Sequence, residues 1–469
     1  MKSRSSNNLF LILVFLMISG IFSSCEERTA DKMLVFTETS VNPDHDYITG
    51  NSWRFLPDSR IVAVDYQNPA AESKILTSDF YSACAPDISC DGKFMLFAGQ
   101  KKMDDLWQIF EMNLADLKVR QITNAEENCI DPVYLPGKRF VFSKFTKSKP
   151  VKESFALFTG NLDGSETGQI TFNPHTYFAS TVLSDGRILS VSRRNFPEQD
   201  QAKFMVFRPD GTKQRLFYQG EMSNKIISRG RESVNGKVFF IERDNKKGNI
   251  ISVNYNRPLH SRVNLSSDIE GDFYSVLPVN DSMLIVSYRP NLDLSYAFYK
   301  FDVKNKKLGK MVFQKEGTNI IDAVLTAERQ RPRNLPSELN MSKDSGIMVC
   351  QDINFTDQIP DAVSDPKAVK IELLGTDTSL GVVNVEKDGS FYLKMKADIP
   401  FRIQTLDKDN NVVNGPGTWL YIRPNERLGC VGCHEDQEQA PLNRQPLAVR
   451  KDPVVIQPLS VKDHKEKSH

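Results

Sequence analysis

The chain has 469 residues, enough for two or three domains, and its 40% hydrophobic and 25% charged content is that of a globular protein. It carries 60 basic and 59 acidic residues, a formal net charge of +1, with no long block of either sign. That balance argues against a polyanion-binding role, so nucleic acid is not an expected partner.

At the N-terminus, Lys2 and Arg4 precede the apolar run Leu9–Ile18, which is too short to settle as a membrane-spanning helix. Residues 1–24 therefore read as a signal peptide. The small residues Ser23 and Ser24 directly before Cys25 resemble the lipobox of bacterial lipoproteins, although Phe22 stands where that motif usually has leucine. The expectation is an exported chain acylated at Cys25 and partnered with a membrane through that anchor; the plainer alternative is an ordinary cleaved signal. Loss of Lys2 and Arg4 would leave the mature chain at −1. Residues 25–49 are expected to be a tether. Glu26 and Glu27 fit either a surface-display signal or a polar spacer, so the site is the outer membrane, on its periplasmic or cell-surface face. Export also permits disulfides among Cys84, Cys90, Cys129 and Cys350, which allow three pairings.

Residues 50–330 repeat a β unit. In the clearest copy, Ala85–Ala98, an Asp91-Gly92 turn signal precedes an alternating apolar strand. Further copies lie at 131–142 and 181–191, and weaker ones at 55–64, 234–241 and 276–286. Each runs into a second strand pair, as at Ile109–Leu114 followed by Arg120–Thr123. Four short strands every ~40–50 residues are the period of a β-propeller blade. The units resemble Tol-type, WD-like propeller repeats, and about six blades are expected, with seven possible.

A charged, Pro-bearing stretch, Glu328–Pro336, reads as a linker. Residues 331–429 hold a different β pattern with hairpin signals such as Lys387-Asp388-Gly389, which suggests a small antiparallel β-sandwich. The expected fold is thus all-β. Residues 435–469 are Pro-rich and charged and are expected to be a disordered tail.

The chemistry-bearing motif is Cys430-Val431-Gly432-Cys433-His434. In Cys-x-x-Cys-His two thiols at this spacing add across the two haem vinyl groups, and the adjacent imidazole ligates the iron. Residues 430–434 are therefore expected to attach one haem c covalently through Cys430 and Cys433, with His434 as axial ligand. A redox disulfide would call for a helix start after a βαβ strand, and a zinc ribbon for a second Cys-x-x-Cys; neither context is present. Only 35 residues follow His434, too few to build a helical cytochrome domain, so the haem is expected against the sandwich or the propeller. Trp419, Tyr421 and Ile422 are candidate packing surfaces.

Gly381 to Glu435, above all "GTWLYIRPNERLGCVGCHE", resembles the middle, haem-bearing region of the hydrazine synthase alpha subunit family; the Arg331-Pro332-Arg333 linker and the upstream repeats match the same layout. The resemblance implies a haem protein that works beside other haem subunits. Family enzymes with a second haem domain continue to another Cys-x-x-Cys-His, which this sequence does not contain. In the synthase a tyrosine after the motif holds the iron while the motif histidine engages zinc. Here residues 435–439 contain no tyrosine, which points to His434 as an ordinary proximal ligand.

For a sixth ligand or second metal site, His175 before a blade strand and Cys129 beside Asp131 are the candidates, with Met341, Met395 and the remaining histidines His45, His260, His464 and His469 behind them. The function expected is that of a lipid-anchored monohaem cytochrome-like protein, in electron transfer with a redox partner protein or in haem-based binding. The alternatives are a haem enzyme acting on a small nitrogen or oxygen substrate, and a haem-free propeller lipoprotein.

Overall fold

The computed structural model describes residues 32–43, 56–69, 72–147, 154–221, 224–355, 367–432, 438 and 443–456. Cys25, Cys433 and His434, with the signal peptide, lie outside them. Among the described residues the only helical element is a 3-10 turn, Leu447–Arg450, and no helix is long and apolar enough to cross a membrane.

Six sheets, five of four strands and one of five, form a closed ring of blades among the described residues. Blades 2, 3 and 4 run in simple order: Ser82–Ile88 to Val119–Gln121, Cys129–Leu135 to Gly168–Gln169, and His175–Val182 to Arg215–Tyr218. Blade 5 spans Lys225–Ile226 to Val263–Asn264, its inner place shared by two short strands, and blade 6 spans Asp272–Asn280 to Lys307–Phe313. Blade 1 is composite. Its inner strand, Asn319–Leu325, comes from the end of the repeat region and pairs with Met33–Thr39 from its beginning. Residues 33–39 therefore do not belong to a tether: their six-residue buried run, Leu34 to Thr39, needs a partner on both edges and finds one in Asn319–Leu325 and the other in Ser59–Asp65. Pairing strands from the two ends of the region closes the ring, and the blades keep only short, protected edges.

The sequence repeat has a bonding counterpart. A short outer strand ends in Leu/Ile followed by Thr/Ser, and both residues tie back to one backbone unit. Leu76 N–H donates to Ile61 O while Ile61 N–H donates to Thr77 Oγ1, each within 2.9 Å. Ile122-Thr123 on Ile109, Ile170-Thr171 on Leu157 and Leu265-Ser266 on Ile250 repeat the arrangement. Each pairs a buried apolar side chain with a donor that the truncated strand would otherwise leave unmet. The Asp-Gly turns form as expected: Gly92, at φ +73°, donates to Ser89 O at 2.9 Å.

Inner strands bulge at a left-handed residue, Ala85, Asp131, Ala179 or Asp322. Asp131 there accepts hydrogen bonds from Ala179 N–H and from the buried Arg229, whose other nitrogen donates to Ser180 O at 3.0 Å.

The expected linker is bonded to the ring rather than free. Arg329 N–H donates to Cys90 O and Arg333 N–H to Ser184 O, so it crosses the Asp-Gly turns of blades 2 and 4. A Cβ on Gly186 would fall 2.1 Å from Arg333 O, which is why that turn needs glycine.

The second domain is a two-sheet sandwich. One sheet orders Ser379–Asn384, Lys370–Leu374, Arg402–Leu406 and Val412–Asn414, all antiparallel. The other orders Arg427–Cys430, Ser345–Cys350, Phe391–Lys396 and Val454–Ile456, and its two outer pairings are parallel, a departure from the antiparallel expectation. The tail expectation is corrected too: Val454–Ile456 adds to Phe391–Lys396, and Ile456 reaches the sandwich core.

Candidate functional site

The described part of the motif begins on the edge strand Arg427–Cys430. Its residues alternate outward and inward, with Leu428 and Cys430 packed against the sandwich core. Its parallel partner is in register so that Cys350 lies opposite Cys430. Past the strand, Gln351 N–H donates to Cys430 O and Asp352 N–H to Val431 O, each at 3.1 Å. Gly432 then packs on the following turn so closely that a Cβ would stand 2.2 Å from Phe355 O. The spacer glycine is thus required by backbone approach. Arg444 clamps this turn from the tail, donating to Asp388 O at 2.8 Å and Gln351 O at 3.1 Å.

After the motif the chain meets the propeller. Glu438 Oε1 accepts from Leu259 N–H at 2.7 Å, and its other oxygen lies 3.6 Å from Arg257. The motif thus starts on the sandwich edge, and the described Glu438 is bonded to a blade 5 loop that carries the exposed His260.

Trp419 and Tyr421 do not face the motif. Trp419 Nε1 donates to Phe196 O at 2.7 Å, and the Tyr421 hydroxyl lies 3.0 Å from both Ile170 O and Gly211 O, so both dock the sandwich on blades 3 and 4. Ile422 is sandwich core. Beside them Arg423 stacks over Phe172 and donates to Asp210 O, while Glu426, nearly sealed from solvent, accepts from Lys213 N–H and Arg423 N–H. Burial raises the Glu426 carboxyl above its ordinary range. Sequence reading missed these docking residues, although Trp419-x-Tyr421-x-Arg423 alternates as a strand would with one face toward a partner.

The two proposed extra ligands are built into the blades. His175 starts the inner strand of blade 4 and is 6% exposed; its Nδ1 lies 2.9 Å from Ser192 Oγ, and Nε2 makes no hydrogen bond. Burial pushes its pKa down to about 3, so the ring stays neutral. Cys129 starts the inner strand of blade 3, and burial pushes its thiol up to about 12. Among the described residues no group of three His, Cys, Asp or Glu side chains converges to hold a metal ion. His175 and Cys129 lie buried at the starts of inner blade strands. Met395 is likewise sandwich core, whereas Met341 is on the surface.

Residues 337–435 match the family model described as the hydrazine synthase alpha subunit middle domain. A curated relative, the hydrazine synthase subunit alpha of Kuenenia stuttgartiensis, is 23% identical over 81% of this chain. The match spans 63% of that relative's length. The solved hydrazine synthase of Kuenenia stuttgartiensis superposes with a TM-score of 0.78 over 89% of this chain and 71% of that one, at 20% identity, and so shares the fold. Residues 337–435 thus carry the hydrazine synthase alpha subunit middle domain, and the chain as a whole is similar in sequence and fold to hydrazine synthase alpha.

Proposed function

We propose that the chain is an exported, Cys25-anchored protein carrying one haem c on Cys430 and Cys433 with His434 as axial ligand, and that it serves hydrazine synthase-like chemistry on a small nitrogen or oxygen ligand. The observation that carries this reading is the match of residues 337–435 to the family's middle domain, with the motif at its very end. The described residues suit such a group. Cys430 is only half-buried on an edge strand, and at Gly429 no atom lies within 4 Å of where a Cβ would stand, so a planar macrocycle can approach that edge. Once attached, a haem supplies one iron whose sixth position is either open to a small ligand or filled for electron transfer. The protein's share is positional: the edge strand holds the first thiol, Arg444 fixes the turn behind it, and Glu438 pins the outgoing chain to blade 5.

A second reading, electron transfer to a redox partner protein, is favoured by one contact. The loop bearing His260 is bonded through Leu259 to Glu438, which stands four residues past His434 in the sequence, so that imidazole is a candidate sixth ligand.

Protein made with a haem-attachment system should give a pyridine haemochrome spectrum of the c type with one haem per chain. The ferrous form should bind CO. Absence of the c-type band would overturn the haem assignment; a six-coordinate, low-spin iron indifferent to CO, converted to a CO-binding form by His260→Ala, would replace small-ligand chemistry with electron transfer.

A further inference from the structure

We infer that Cys350 and Cys430 form a cross-strand disulfide in the haem-free protein, a redox site that competes with haem attachment at Cys430. Three observations converge on it. The two residues are register partners on adjacent parallel strands. Neighbouring strands lie about 4.8 Å apart, within the roughly 4.4–6.8 Å between Cα atoms that a disulfide bridges. Both side chains also point to the same face: Cys350 belongs to the sandwich core and Cys430 packs against that same cluster. The backbone there is held on both sides, by Ile347 N–H to Glu426 O at 2.9 Å before the pair and Gln351 N–H to Cys430 O at 3.1 Å at its end, so the register cannot slip to part the thiols.

Exposure sets the order of events. Cys350 is buried, whereas Cys430 is half-buried. The Cys430 thiolate attacks a disulfide of a protein thiol oxidant, forming a mixed disulfide. The Cys350 thiolate then displaces the oxidant, which leaves as a dithiol; the two cysteines have lost two protons and two electrons, and the oxidant has gained them. The thiol that would add to a haem vinyl group is now one half of the Cys350–Cys430 bond. Attachment at Cys430 waits until a thiol reductant restores it, with the same protons and electrons returned. The block falls on the first attachment point, Cys430. This consequence for haem loading rests on the haem reading above; the disulfide itself does not.

The test is disulfide mapping of the full chain from an exporting host, alkylated with N-ethylmaleimide under denaturing conditions before tryptic digestion. Trypsin places Cys350 in peptide 344–367 and Cys430 in peptide 428–444. The expected result is a reducible 344–367/428–444 conjugate in the haem-free fraction, unchanged by Cys433→Ser and abolished by Cys350→Ser. Cys350→Ser should also raise haem per chain several-fold when no thiol reductant is supplied. A Cys430–Cys433 bond within one peptide, or full alkylation of Cys350 in haem-free protein, would overturn the proposal. The conjugate found in a chain that never takes haem in any variant would leave the disulfide standing and sink the haem reading instead.

Discussion

The propeller and the sandwich are both made of short β-strands, yet they treat polar groups in opposite ways. The propeller is closed on itself: blade 1 is made of strands from opposite ends of the repeat region, and buried charged residues on its inner strands meet partners. Arg229 and Asp131 are paired with 3% and 0% of their side chains exposed, and Arg231 sits in the same layer, in the field of Asp87 and Asp322. The sandwich keeps an edge. Its outermost strand, Arg427–Cys430, has one hydrogen-bonded neighbour, and the motif begins there. A closed ring of blades can bury charge, because its inner strands are short edges covered by the neighbouring blades. An open sheet leaves backbone and thiol within reach of a cofactor or an oxidant. Rigid scaffold and reactive rim are thus divided between the domains.

The largest effect is expected where the propeller's buried charge pair is broken. Asp131→Ala removes the acceptor of both Arg229 and Ala179 N–H and leaves a guanidinium buried without its counter-charge. Removing one partner of a buried pair costs about 3–5 kcal/mol. Chemical denaturation should show that loss, with Cys430 reactivity toward maleimide unchanged under native conditions. A loss below about 1 kcal/mol would mean this pair does not hold the ring together.

A smaller effect tests the seam between the regions. Tyr421→Phe deletes one hydroxyl and with it the contacts to Ile170 O and Gly211 O, two buried carbonyl groups of different blades. Leaving buried polar groups unpaired costs about 1–3 kcal/mol. If the sandwich is a rigid extension of the propeller, the variant should lower a single unfolding transition. Two separated transitions in the variant would show that the seam, and not each core, couples the domains.

How far these features could be read beforehand follows from their range along the chain. The propeller was legible because its signals are local and repeated: Asp-Gly turns, alternating apolar strands and a second strand pair after each. The closing strand at 33–39 was not, because its partner is some 290 residues away and nothing local marks it as paired. The tail strand at 454–456 was hidden for the same reason, two exposed valines and one buried isoleucine among prolines giving no alternation to follow. Cys430 was legible from its motif, but its neighbour Cys350 was not, since register between strands 80 residues apart is set by tertiary packing. His175 and Cys129 illustrate the converse. Ligand-type residues at loop-to-strand junctions invite a functional reading, yet these junctions are the sealed starts of inner strands, where burial keeps both groups uncharged.

His175 gives the smallest effect and tests whether the sealing extends beyond that buried pair. Its folded pKa of about 3 lies below the ordinary imidazole value near 6.5. Between those values the unfolded chain holds a proton that the folded chain refuses, so stability falls as pH drops through that window; above it the residue contributes no pH dependence. One such group gives a slope of at most about 1.4 kcal/mol per pH unit. His175→Gln keeps a neutral side chain able to bond Ser192 and should cost only about 0.5–1.5 kcal/mol at pH 7. Its unfolding free energy, followed from pH 7 to pH 4 beside the parent chain, should fall less steeply by up to that slope. Equal slopes would mean that His175 takes a proton in the folded ring, and the boundary between sealed propeller and open sandwich edge would then run through blade 4.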